Sequence, residues 1–289
     1  MSIVNECMIV NVRINMWLGY RHDKAASQAL VAQANAEADT ARVNKHIIPK
    51  EALKDIVSAA TAVRTHLYTK TMPWKDNGDR LLTRKLHFKF MEEHNNLVSV
   101  FDGAADKFVN TTYAEERQRA EFRMGTLFNE NDYPSVEQLR RKFSVALDID
   151  AVTTANDFRV QMSDKAKEEV RKSMEDAMQD RVNRALGDVW MRLAEKLEHY
   201  TKTMSKEDQV FRDTTVTNLE EIVDLLPDLN IFGDKRLAEM GEEIKEKLIG
   251  YTPGQLRKEP ETRAYVAEEA KNIMDVMGGY MKAFGGMKE

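Results

Sequence analysis

From Ser163 to Met204, apolar side chains recur every three or four positions: Val170, Met174, Met178, Val182, Ala185, Val189, Leu193, Leu197, Tyr200 and Met204. That period is helical, and no proline interrupts it. Forty helical residues span about 60 Å. So long a rod cannot be hidden within one small globule. Its apolar stripe needs an antiparallel partner from the same chain or a helix of another subunit. The obvious internal partner is a second long helix over about 83–128, on which Leu86, Phe90, Leu97, Phe101, Ala105, Phe108 and Val109 fall on one face, with Met124, Leu127 and Phe128 as later anchors.

The other segments fit around these two. Val10, Val12, Ile14 and Met16 alternate with Asn11, Arg13 and Asn15, which predicts a strand within 7–18 with one face buried. Residues 143–149 and 157–162 predict two more strands, giving a small antiparallel sheet with 7–18 beside 143–162. Residues 22–46 are rich in alanine and predict a helix. Pro49 opens another helix, running to about Tyr68. Pro73, Asn77-Gly78 and the acids Asp76 and Asp79 predict a loop with a turn over 71–79. Ser135 caps a short helix. Three helices follow, about 214–226, 234–249 and 261–284, with Asp234 and Thr252 as N-caps and Pro253 and Pro260 in first turns. The chain holds only 13 Gly and 6 Pro, and 31% of it is charged, as long surface helices require. The expected fold is therefore mainly α (α+β), with long antiparallel amphipathic helices and a small antiparallel β-sheet. Residues 1–162 would form a helical hairpin plus sheet, and 163–289 the long helix with a C-terminal helical region, either apart or as one continuous domain.

Charge and cysteine content narrow the setting. Residues 146–289 carry 22 Lys and Arg against 30 Asp and Glu. An acidic half of this kind excludes a chain that coats nucleic acid along its whole length. Cys7 is the only cysteine, so no intrachain disulfide forms, which suits a reducing cytoplasm. The N-terminus lacks the basic start and apolar run of a signal peptide. No stretch approaches 18 apolar residues, so no membrane span is expected.

No catalytic pattern emerges. The six histidines, His22, His46, His66, His87, His94 and His199, include no His-Glu-x-x-His or Cys/His metal spacing. Glu195 and His199 are four apart and could bind a metal with further ligands, or form an exposed helical pair. Phosphate-binding glycine loops and serine nucleophile elbows are absent. Cys7, among apolar neighbours, reads as a packed thiol. No cofactor is expected.

One stretch has the composition of a binding surface. Arg64, Lys70, Lys75, Arg80, Arg84, Lys85 and Lys89 face only Asp76 and Asp79 across 64–89, with Tyr68, Trp74 and Phe88 interleaved. Cations for phosphates and rings for bases are what a single-stranded nucleic acid requires. Arg140, Arg141 and Lys142 could extend it. The competing reading makes Trp74 a plug over the helical core and the cations an ordinary solvated surface.

Three stretches in order, Met72-Pro-Trp-Lys-Asp-Asn-Gly-Asp-Arg-Leu-Leu82, Asp132-Tyr-Pro-Ser-Val-Glu-Gln-Leu-Arg-Arg-Lys-Phe143 and Asp157-Phe-Arg-Val160, resemble a family of uncharacterised proteins from tailed phages and integrative conjugative elements. Its members tend to be encoded near a MoxR/CobS-type AAA+ ATPase and a von Willebrand A-type protein. The resemblance covers roughly residues 7–230. It implies a mobile-element setting in a bacterial cytoplasm and an ATPase partner, and brings no catalytic residue with it. The expected function is a non-enzymatic adaptor or scaffold acting through helical contacts with protein partners, itself included. The alternative is a single-stranded nucleic-acid-binding protein using 64–89. A hydrolase with a metal site is a third class.

Overall fold

The computed structural model describes residues 3–157, 163–206 and 210–281. A single turn, α1 (Ile3–Glu6), leads into β1 (Cys7–Asn15), and Gly19 then turns the chain into β2 (Tyr20–His22). Asp23 caps α2 (Lys24–Gln33) by accepting from the Ala26 amide. This helix stops well short of the alanine-rich stretch expected to be helical to residue 46. Asn35 takes a left-handed backbone (φ 49°) just beyond it, and the return strand β3 (Asn44–His46) pairs with β2. The Ser27 hydroxyl joins the two ends, donating to Asp23 O and accepting from Val43 N.

After a 3-10 turn at Lys50–Leu53 comes α3 (Lys54–Lys70). Where a loop was expected, β4 (Met72–Pro73) and β5 (Arg80–Thr83) form a hairpin. Asp79 O accepts from the amides of Trp74 and Lys75, and Gly78 supplies the positive φ that the turn needs (94°). The expected helix over 83–128 is α4 (His87–Lys107) and α5 (Tyr113–Met124), joined by a π turn at Phe108–Thr112. Ser135 closes a capping box with Gln138 on α6 (Val136–Arg140), and β6 (Ser144–Ala151) follows. The third expected strand falls largely on 158–162, outside the described residues; its first residue, Asp157, lies in a 3-10 turn. The sheet order is β4-β5-β1-β6, with Cys7 opposite Thr83 and Val10 opposite Arg80 in the antiparallel β1–β5 pair.

The long helix is α7 (Asp164–Met204), 41 residues capped by Ser163. The remainder is α8 (Thr214–Leu229), α9 (Lys235–Leu248), α10 (Pro253–Lys258) and α11 (Pro260–Met281). Asp234 accepts from two amides at the start of α9, and Thr252 forms a capping box with Gln255 ahead of Pro253.

The chain gathers into two compact units, each from separated stretches. The first takes residues 1–11, 70–88 and 148–289, and the second takes 12–69 and 89–147. In the first unit, α7 packs chiefly on α11 and α8, which take the place expected of the 83–128 helix. Trp190 meets Tyr280 while Met204 O accepts from Arg263, so α11 runs antiparallel to α7. Trp190, Leu193, Leu197 and Tyr200 on α7 are buried with Leu219 and Leu229 of α8 and Val266 and Ile273 of α11. In the second unit, Ile47, Ile48, Ile56, Ala60, Phe101, Phe108, Tyr113 and Leu139 form a closed apolar cluster. No helix among the described residues is long and apolar enough to cross a membrane.

Candidate functional site

The basic stretch 64–89 divides on folding. Trp74 is 2% exposed, with the Arg181 guanidinium 5.9 Å from its ring centroid. It is a plug on the first unit and presents no face for a base. Arg80 is also buried, its Nε donating to Thr71 Oγ1 at 2.7 Å and its Nη2 to Thr71 O at 2.9 Å. Lys75 pairs with Asp79 at 3.2 Å, and Arg84 with Glu6 at 3.3 Å. Lys85 donates to Pro227 O at 3.3 Å. Lys70 is half-buried, while Arg64 and Lys89 are exposed. The exposed rings of the stretch are Tyr68 and Phe88. Asp79 is held below the usual carboxylate range, first by the Asn11 amide and then by Lys75.

Two of the expected cations lie in a cleft instead. Within the second unit, Trp17, Tyr20, Arg21, Asn131, Tyr133, Gln138, Arg141 and Lys142 are among the residues around an open cleft of about 750 Å³. Local sequence explains each wall. Gly19 has φ 62°, and a Cβ there would meet Ile48 Cβ at 3.0 Å, so only glycine makes this bend closely. Its carbonyl accepts from the amides of Ile47 and Ile48. Across the bend, Trp17 is half-buried against Phe108 and Tyr113, while Tyr20 stays 47% exposed against His46. The π turn sets the depth, because it carries Phe108 and leads directly into Tyr113, whose hydroxyl donates to Pro134 O at 2.6 Å.

The floor is tied down by a buried-edge ion network. Lys45 reaches Asp132 at 2.8 Å and Asp23 at 3.3 Å, and donates to Leu127 O. The Asp132 contact is the main reason the Lys45 ammonium is held above its ordinary value. Tyr133 donates to Ile47 O at 2.9 Å. Arg140 points elsewhere, bonding Asp106 and Asn110. Among the described residues Arg141 pairs with exposed Glu137, an i,i+4 partner that a stronger anion displaces at little cost. The Lys142 ammonium has no partner among the described residues. Arg21 stands 4.0 Å from Asp132 and is largely exposed. The cleft is thus cationic and aromatic, with Asn131 and Gln138 amides on its rim. Beyond Tyr20 the surface turns apolar, in a groove of about 520 Å³ flanked by Leu18, Leu53 and Val57.

The titratable residues elsewhere do not converge. Among the described residues no three His, Cys, Asp or Glu side chains surround one point. His66 and His94 each stack on Phe90 and lie 6.4 Å from one another, with His66 Nδ1 at 3.4 Å from Glu93. Burial, with the neighbouring His66, lowers the affinity of His94 for a proton.

No protein-family model, curated protein or solved structure matches the chain.

Proposed function

We propose that the protein is a non-enzymatic adaptor or scaffold of a phage or other mobile element, which self-associates and works with an AAA+ ATPase in the cytoplasm of a bacterial host. The observation that carries this reading is the first half of α7. From Asp164 to Arg184 no residue is buried, yet Ala166, Val170, Met174, Ala177, Met178 and Val182 form a half-covered stripe at helical spacing. These 21 residues extend about 30 Å and hold six cations and six acids. A second copy laid along this face meets no net charge repulsion, although the whole chain carries −5. The mobile-element setting and the ATPase rest on the three resembling stretches.

Sedimentation velocity tests the self-association. The wild-type chain should sediment as a dimer or larger at tens of micromolar. The triple variant Val170→Glu, Met174→Glu, Met178→Glu should sediment as a monomer with unchanged helical circular dichroism. A wild-type monomer at these concentrations sinks the reading. The ATPase partner is tested separately by titrating the chain against a purified MoxR-type AAA+ ATPase, where absence of binding removes that part.

A further inference from the structure

We infer that the cleft between the Gly19 bend and the 129–142 segment binds a nucleoside phosphate, either free or as a unit of a single strand, with the base against Tyr20 and Trp17 and the phosphate on Arg21, Arg141 and Lys142. This goes beyond the adaptor reading and does not depend on it.

Three observations converge on that chemistry. Two aromatic rings of different attitude flank the opening, one anchored in the core and one standing in solvent. Base stacking needs a ring whose position is fixed and whose face is reachable. Three cations then line the cleft. Among the described residues one acid, Asp132, lines it with them; Lys45, which also pairs with Asp23, meets it at 2.8 Å, and Arg141 faces Glu137, so four cations stand against three acids. The field left over favours an anion. Finally, Asn131 and Gln138 bring amide groups to the same rim. The Gln138 Oε1 is committed to the Ser135 amide, which leaves its NH2 to donate to a base edge or a phosphate oxygen. A volume of about 750 Å³ lies within the range of small-ligand sites. A plain carboxylate peptide would use the cations but leave both rings without a partner. The nucleic-acid chemistry expected of 64–89 therefore moves to a place where rings and cations face the same space.

The test is fluorescence anisotropy with a fluorescein-labelled twelve-residue oligothymidylate at low salt. Competitors are thymidine monophosphate and a twelve-residue polyglutamate. Tyr20→Ala should weaken binding about tenfold, as loss of one stacked base does, and Tyr20→Phe should restore it. The double variant Arg141→Ala, Lys142→Ala should weaken binding at least as much. It should also reduce the slope of log affinity against log salt by about 1.4, two single-strand phosphate contacts' worth. Arg64→Ala with Lys89→Ala should change nothing. Thermal melting confirms that each variant is folded. Tight binding of the strand identifies a strand as the source. Binding of thymidine monophosphate alone, read by isothermal titration calorimetry and with the same residue dependence, identifies a free nucleotide. The inference is overturned if neither ligand binds, if the cleft variants bind as the wild type does, or if polyglutamate displaces the strand as readily as thymidine monophosphate does.

Discussion

Cys7, His94 and Arg263 illustrate how burial decides what a single side chain can do. Cys7 opens β1 and is buried there, and that burial, with Glu6 beside it, pushes its thiol up to about 12. The thiolate is the reactive form. At pH 7.5 the native chain should therefore react with an alkylating reagent about a thousandfold more slowly than the urea-unfolded chain; equal rates would show that the thiol is open. His94 is 3% exposed, and its Nδ1 has no hydrogen-bond partner among the described residues. Its pKa is lowered from 6.5, by desolvation first and His66 second. The unfolded chain thus takes up a proton that the folded one refuses. Stability should be flat above the unfolded value and should fall as the pH drops below it. Urea midpoints between pH 7.5 and 5 should show this decline for the wild type and a shallower one for His94→Phe; parallel curves would exclude His94 as the cause. Arg263 is buried at the end of α7, donating to the carbonyls of Met204, Thr203 and Lys206. Those of Thr203 and Met204 are carbonyls that the C-terminus of α7 leaves without intrahelical donors. Arg263→Met should lower the unfolding free energy by about 2–3 kcal/mol, again read from urea denaturation.

At the scale of elements, packing distance sets what each position tolerates. Gly241 of α9 is buried, and a Cβ there would stand 2.9 Å from Leu226 Cδ1 of α8. The helices approach that closely because the side chain is absent. Gly241→Val should cost about 1–3 kcal/mol through overpacking. Gly241→Ala should cost less, because better helix propensity returns about 1 kcal/mol. A stabilised valine variant would mean that the two helices are not held together here. The same physics explains what could be read in advance. The helices α7, α9 and α11 and the caps Ser135, Asp234 and Thr252 were legible because helical period and capping chemistry are local. The hairpin of β4 and β5 was not. Its strands are two and four residues long, and Leu81 and Leu82 are both buried, so no alternation marks them. Residues 34–43 were misread because alanine content carries propensity without showing where tertiary contact ends. Arg141 and Lys142 could be flagged as cations. Their aromatic counterparts Trp17 and Tyr20 stand more than a hundred residues away, and the only local hint was a glycine between two aromatics at the end of an alternating strand.

The whole molecule is interleaved, and this makes its stability depend on pieces far apart in sequence. The first unit completes its core with the start of β1 and with residues 70–88 as well as with the helices from α7 to α11. Trp74 and the hairpin around it lie against α7: Arg181 covers the indole, Arg184 pairs with Asp76 at 2.9 Å, and Arg192 donates to Thr71 O at 3.0 Å. A fragment spanning 163–289 keeps the packing of α7 on α8 and α11, and of α9 on the same two helices, but loses this cover. It should remain helical by circular dichroism, since its largest contacts are internal. It should also unfold at a lower urea concentration than the full chain. The loss should match what Trp74→Ala does in the intact protein, about 3–5 kcal/mol for a large buried aromatic, plus the polar contacts of Arg184 and Arg192. A fragment with the parent's urea midpoint would show that the hairpin contributes nothing to the helical core. In that case Trp74 would have no structural reason to be buried, and the basic stretch around it would again be open to a binding role.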